Sequence, residues 1–225
     1  MQILHIFVDK NGKRKMTKTF EKWKIGELHH TFGLRRHNEN FAPLDTWLAS
    51  QTTFDSTEEK ALRKLAKELS INAIIWNEDE LKFMFISQLI AIADLQTAHA
   101  KIFTQRPLSA EVNGIKINGI VDFVIANGID EPEHPFFFLH EYKQEKKSAN
   151  DPLAQLLAEM LVAQAHNGDN TLYGCYVMGR FWFFIILEGK DYAVSNAYNA
   201  SDEDIFQIVS ILRAVKTKIE EKEKN

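Results

Sequence analysis

Three ionisable residues interrupt runs of sequence that otherwise read as apolar strand. Asp122 lies in Gly119-Ile120-Val121-Asp122-Phe123, and Glu141 and Lys143 lie in Leu139-His140-Glu141-Tyr142-Lys143. Strand residues two apart share a face, so Glu141 and Lys143 project together. Asp122 belongs to the preceding strand segment, which is expected to pair alongside. Two carboxylates and an ammonium then meet on one sheet. Buried charges are costly unless they are paired or bind a metal. An E-x-K pair taken alone is an ordinary structural salt bridge. Two acids against one lysine leave excess negative charge, which invites a hard divalent cation. Mg²⁺ takes oxygen ligands octahedrally and keeps several waters, so two carboxylates and a backbone carbonyl suffice. A lysine beside such an ion can orient or activate a water, while the ion polarises a phosphodiester.

The elements that must position these residues follow from periodicity. Gln2–Val8 alternates weakly and runs into a turn at Asp9-Lys10-Asn11-Gly12, the pattern of a short hairpin. Ser56-Thr57-Glu58-Glu59 reads as a capping box opening a helix with Ala61, Leu62, Leu65, Ala66 and Leu69 on its apolar face. A second helix starts at Asn77, with Glu80 as its capping-box partner, and runs to about Leu95. It is apolar over most of its circumference, which predicts burial. Leu108–Val112 and Ile115–Asn127 flank Asn113-Gly114, the strongest two-residue hairpin signal. Asn118-Gly119 inside the second of these strands marks a bulge or a close backbone approach. Phe136–Lys143 is a third strand, apolar on both faces at its start as a central strand would be.

Asp151-Pro152 caps and starts a helix carrying Leu153, Leu156, Leu157, Met160, Leu161 and Gln164 on one stripe, ended by Asn167-Gly168. Thr171–Val177, Phe181–Leu187 and Tyr192–Ser195 are further strands, and Ser201 is expected to cap a last amphipathic helix. The order predicts an α/β protein of mixed α+β type, a mixed central sheet flanked by helices. Residues 1–75 read as an N-terminal extension, a short hairpin and then helices, and 76–225 as the domain that carries the cluster.

Composition narrows the function classes. The 225 residues are 45% hydrophobic and 26% charged, which excludes wholesale disorder. A single cysteine, Cys175, excludes an internal disulfide and any multi-cysteine metal site. With no signal peptide at Met1–Lys10, the expected location is cytoplasmic. No run of 18 apolar residues free of charge exists to span a membrane. The net charge of −4 argues against a general nucleic-acid sponge. Its distribution is uneven: Lys10–Arg36 holds nine Lys/Arg against Glu21 and Glu27, so +7, leaving −11 elsewhere. A basic arm on an acidic body can find phosphates by long-range attraction; it is equally the pattern of a solvated N-terminus.

The cluster and the order of elements around it resemble the PD-(D/E)xK nuclease superfamily, the restriction-endonuclease-like fold. The likeness covers about 76–195: a helix, Asp122, Glu141-x-Lys143, a helix, then strands. It looks most like the nuclease domain at the N-terminus of type I restriction motor subunits and small stand-alone relatives. The resemblance implies a Mg²⁺- or Mn²⁺-dependent DNA endonuclease, with Asp122 and Glu141 on the metal and Lys143 serving the attacking water. It also implies an acid on the first helix, for which Glu78 is the candidate and Glu80 the rival, and a glutamine after E-x-K, for which Gln155 is the candidate. By the same analogy a homodimer or a partner subunit is expected, since such enzymes pair to cut two strands.

The chain departs from the pattern at Glu159, where relatives often have tyrosine, and at Val121, where proline often precedes the acid. Without a G-x-x-x-x-G-K-[ST] it carries no motor motif. Lys146 and Lys147, just past the cluster, suit a phosphate backbone or a solvated loop. His140 and Tyr142 fall on the strand face opposite Glu141 and read as packing, as does Cys175. His29-His30 and His37 lack ligand spacing and read as surface residues. A non-catalytic DNA- or protein-binding module that keeps the nuclease fold is the alternative reading.

Overall fold

A computed structural model of the chain describes residues 5–8, 14–143, 151–168 and 171–224. One mixed sheet organises them. Its strands are β1 (His5–Val8), β2 (Arg14–Thr19), β3 (Arg35–His37), β4 (Lys101–Val112), β5 (Ile115–Asn127), β6 (Glu133–Lys143), β7 (Thr171–Met178), β8 (Phe181–Glu188), β9 (Asp191–Val194) and β10 (Tyr198–Asn199). The main path runs β1-β2-β5-β6-β7-β8-β9-β3, with β4 on β5 and β10 on β8. β2–β5, β6–β7 and β3–β9 are parallel and the other pairs antiparallel. The helices are α1 (Ile25–Phe32), α2 (Ala42–Leu48), α3 (Ser56–Asn72), α4 (Glu78–Leu81), α5 (Ser87–Ala93), α6 (Pro152–Asn167) and α7 (Asp204–Glu223). No helix among the described residues is long and apolar enough to cross a membrane.

Alternation along the strands separates two cores. Phe123, Ile125 and Phe138 pack with α2, α3, α5 and α7 on one face, around the buried Trp47 and Trp182. Val124, Ala126 and Phe136 pack with α6 and with Phe20, Trp23, Leu28, Phe32 and Leu34 on the other. The first 37 residues supply strands to opposite ends of the main path, β2 and β3, and the segment between them lies over α6.

Several local expectations are met. Asn77 caps α4: its Oδ1 accepts from Glu80 N–H at 2.9 Å, and Glu80 accepts in return from Asn77 N–H at 2.8 Å. The β4–β5 turn has φ of 50° at Asn113 and 77° at Gly114, both left-handed as the two-residue turn requires. Asp151 caps α6, accepting from Leu153 and Ala154 N–H at 3.1 and 3.2 Å. β6 lies centrally, between β5 and β7.

Other expectations need correction. The cap of α3 is Asp55, not Ser56; it accepts from Thr57 and Glu58 N–H at 2.7 and 2.9 Å. A carboxylate at the positive end of the helix outcompetes a hydroxyl. Ser201 does not cap α7; its hydroxyl donates to Asn199 Oδ1 at 2.7 Å, and the helix begins at Asp204. The helix from Asn77 is not uniform, since Lys82–Ile86 forms a π-helical turn and the helix ends at Asp94 with φ of 51°. β4 begins at Lys101, not Leu108, and tolerates Pro107 because it is an edge strand. α6 is buried almost all round, not along one stripe. The hairpin turn at Asp9–Gly12 lies outside the described residues.

Gly119 is a close-approach position without a bulge, in regular register with Leu108. A Cβ there would meet Phe20 Cδ2 at 2.4 Å. Phe20 is fully buried and cannot swing away. Gly119→Ala should therefore cost about 1–3 kcal/mol by overpacking, read as a lower urea midpoint. An unchanged midpoint would mean that Phe20 is not fixed against this strand.

Candidate active site at the fork between two strands

β5 and β6 run together only as far as the Phe123↔His140 pair. Beyond it β5 leaves β6 and continues between β4 and β2. Asp122 stands at the fork. Its Oδ2 accepts the Tyr142 N–H at 3.1 Å, replacing the ladder bond that the parting strands no longer make. Its Oδ1 accepts from Lys82 Nζ at 2.9 Å and from Gln105 Nε2 at 2.6 Å. Gln105 lies across from Asp122 on β4 with φ of 54°, a left-handed conformation unusual for glutamine. Strain of this kind persists where surrounding contacts enforce it.

Glu141 and Lys143 project from β6 on one face, as the two-residue spacing requires. The Lys143 ammonium donates to Glu141 Oε1 and stands 4.0 Å from Glu78 Oε2. Glu78, in the first turn of α4, accepts from Lys82 Nζ at 2.7 Å. Glu80 is engaged in the cap, so Glu78 is the acid that α4 offers to the fork. Gln155 and Glu159 enter from α6, one helical turn apart, with Gln155 Nε2 donating to Glu159 Oε1 at 3.3 Å. The structure thus gathers Glu78, Asp122, Glu141, Lys143 and Gln155. Lys146 and Lys147 lie outside the described residues.

The electrostatics are those of a buried, acid-rich corner. Glu141 is fully buried; burial, helped by the Asp122 charge, pushes its carboxyl up to about 8 against the opposing pull of Lys143. Glu159 is also fully buried and is pushed well above the carboxylate range, by burial first and then by Glu141. It cannot meet DNA at the surface. Burial pulls the Lys82 and Lys143 ammonium groups down. Asp122 and Glu78 outweigh it for Lys82, as Glu141, Glu78 and Asp122 do for Lys143, so both pKa values are raised and both groups stay charged.

On the opposite face of β6, His140 Nδ1 and Tyr142 OH are 2.9 Å apart within aromatic packing that includes Trp182. Burial holds that imidazole neutral. Cys175 is fully buried. His29 meets Tyr192 OH at 2.8 Å and His37 meets Asp191 at 2.8 Å, so both are structural contacts.

Three residues of the corner were not singled out as functional by sequence reasoning. Lys82 looks like half of an ordinary i,i+4 surface pair with Glu78. Gln105 carries no sequence sign of its backbone conformation. Glu159 reads as a departure from a family pattern, yet it is the only charged residue between Pro152 and Ala165, and that scarcity signals burial all round.

Among the described residues, no group of three or more His, Cys, Asp or Glu side chains is arranged to hold a metal ion. The corner offers carboxylate pairs instead. Glu141 Oε2 is buried and has no hydrogen-bond partner, so an oxygen donor remains there after both lysines are placed.

The chain is a mixed α/β protein with an acid–lysine cluster at a strand fork. Compared with known families and with curated proteins, it matches no family model and no curated protein.

Proposed function

We propose that the chain is a divalent-cation-dependent phosphodiesterase that hydrolyses DNA, as a PD-(D/E)xK-type endonuclease of restriction, defence or repair. One observation carries the reading. Asp122, Glu141 and Lys143 converge at a single fork, with a buried carboxylate oxygen of Glu141 left unpartnered. Asp122 and Glu141 would hold Mg²⁺ or Mn²⁺, with Glu78 at the rim; an all-oxygen donor set suits these hard ions. When bound, the ion polarises the phosphodiester and stabilises the charge that builds on its oxygens. Lys143 is tied to Glu141 and stays charged, so it can hold and orient a water beside the carboxylates. Gln155, almost fully buried, anchors the α6 side of the corner through Glu159. A dimer or a partner subunit would supply the second cut of a duplex.

A second reading has a specific observation in its favour. Lys82 and Lys143 already neutralise Asp122 and Glu141, as in a static ion-pair network. A binding module that has kept the nuclease fold would look the same. Plasmid and single-stranded DNA cleavage with Mg²⁺, Mn²⁺ or chelator, alongside thermal unfolding in the same buffers, separates the two. A catalytic site should give cation-dependent cutting and a raised melting temperature; ion at 100 times its Kd stabilises by about 2.7 kcal/mol. No cutting and no shift would leave the ion-pair network as the better account.

A further inference from the structure

We propose that Lys82 is a built-in competitor for the cation. Its ammonium holds Asp122 and Glu78 together in the cation-free protein and must let go of them before a divalent ion can bind. Lys82 thereby sets the cation concentration at which the site loads. This deepens the functional reading above and rests on it for the cation itself.

One positive charge stands in the place of another. Lys82 Nζ lies 2.7 Å from Glu78 Oε1 and 2.9 Å from Asp122 Oδ1. It bridges a carboxylate from α4 and one from β5 that would otherwise repel. Asp122 has little left to offer an ion. Its Oδ1 accepts from both Lys82 and Gln105, and its Oδ2 accepts the Tyr142 N–H. Each carboxylate oxygen has about two lone pairs to share, so Oδ1 is full. Of its two donors, Gln105 is a neutral amide and can stay beside an ion. Lys82 cannot, because an ammonium and a divalent cation on the same carboxylates repel each other.

Lys82 is also the lysine of the corner that is free to leave. Lys143 stands on a central strand with the fully buried Glu141 as its partner. Lys82 stands on a helix at the rim, next to Phe83, which is 76% exposed. Its flexible four-carbon stem lets the ammonium move while the backbone stays in place. The Tyr142 ring, 5.6 Å from Nζ, offers its face to the released ammonium. Lys82 also opens the π-helical turn, and its carbonyl takes the N–H of Ser87, five residues on. Such turns inside α-helices are frequent at functional sites.

The test is calorimetric titration of the full chain with Mg²⁺. Lys82→Met, which keeps the stem and drops the charge, should bind Mg²⁺ about tenfold or more tightly than the parent. Lys82→Arg, which keeps the charge, should bind no more tightly than the parent. Should Lys82→Met fail to fold, Lys82→Gln also removes the charge, still donates to a carboxylate, and should shift the affinity the same way. A second readout follows the ammonium itself. In ¹⁵N-labelled protein, the Nζ signal that Lys82→Met lacks should be visible in chelator and lost in saturating Mg²⁺, as the ammonium passes from carboxylates to water. Equal affinity in parent and charge-free variant, equally tight binding by Lys82→Arg and Lys82→Met, or an Nζ signal that is missing in chelator or persists in Mg²⁺ overturns the competitor. DNA cleavage by the same proteins separates the two readings. Tighter binding by Lys82→Met without cutting by either protein removes the nuclease assignment and leaves the competitor standing. Cutting by the parent, with no gain in affinity in Lys82→Met, does the reverse. Binding by neither protein sinks both.

Discussion

Lys143→Ala should lower metal-dependent DNA cleavage by about 10²–10³-fold, the order seen when one preorganised charge-stabilising group is removed from an active site. Asp122→Asn should do as much. The two act differently. Lys143 holds no strand pairing through its side chain, so its removal takes away the ammonium beside Glu141 and little else. Glu141 would then be buried without a partner, which for a fixed charge costs about 3–5 kcal/mol. Its carboxyl is already raised to about 8, so it escapes most of that cost by holding a proton. The fold should survive, and a protonated Glu141 is a poor cation ligand, so ion binding should weaken too.

Asp122 accepts three bonds, from Tyr142 N–H, Lys82 and Gln105. An asparagine there must turn its NH₂ toward one of those donors, so this variant should also lose melting temperature. Cleavage assays on purified variants, with circular dichroism to confirm folding, decide the matter. Undiminished cutting by either variant would remove it from the catalytic machinery.

The cation-free protein should become less stable as pH rises from about 6.5 to about 8. Glu141 is raised to about 8 from an ordinary value near 4.5. Between those values the folded state keeps a proton that the unfolded chain has released. Stability therefore falls as pH rises, by about 1.4 kcal/mol per pH unit for each proton so held. Glu159, pushed up by burial, adds in the same direction. His140 works the other way, but only lower. Its folded value is depressed, so its contribution is complete above about 6.5 and is lost on acidification. Asp191, lowered to about 2 by the Arg35 and His37 hydrogen bonds, titrates far below the window. Urea unfolding in chelator at pH 6.5, 7.25 and 8, values chosen to span that window, should show the fall. Glu141→Gln should flatten much of it, and saturating Mn²⁺ should reverse it, because the ion favours the ionised carboxylates. A profile that rises with pH in chelator would mean that Glu141 is not held as a protonated, buried group.

The corner was partly legible in the sequence, for a physical reason. A charged residue inside an apolar strand has few ways to be tolerated, so Asp122, Glu141 and Lys143 announce themselves. The helix caps at Asn77 and Asp151 were legible because capping is local chemistry. Lys82 was not, because its reach to Asp122, forty positions on, exists only once α4 is docked against the fork. Gln105 was hidden because nothing in its residue type signals a left-handed backbone. The burial of α6 had a sign in its scarcity of charge, but what covers its outer side, Phe20–Leu34, was hidden as a contact between distant parts of the chain. β3, three residues long and paired in parallel with β9, lacks the length that periodicity needs.

That covering segment has a consequence for biosynthesis. β2 and β3 leave the ribosome well before their neighbours, β5 at 115–127 and β9 at 191–194. At about 5–20 residues per second, β3 waits roughly 10–30 s for its partner to be made. Until β5 and α6 are made, Phe20, Trp23, Leu28 and Phe32 lack the residues that cover them, which leaves that apolar surface open to holding chaperones. It also sets the order of assembly: the cover over α6 can form once that helix is made, before β3 meets β9.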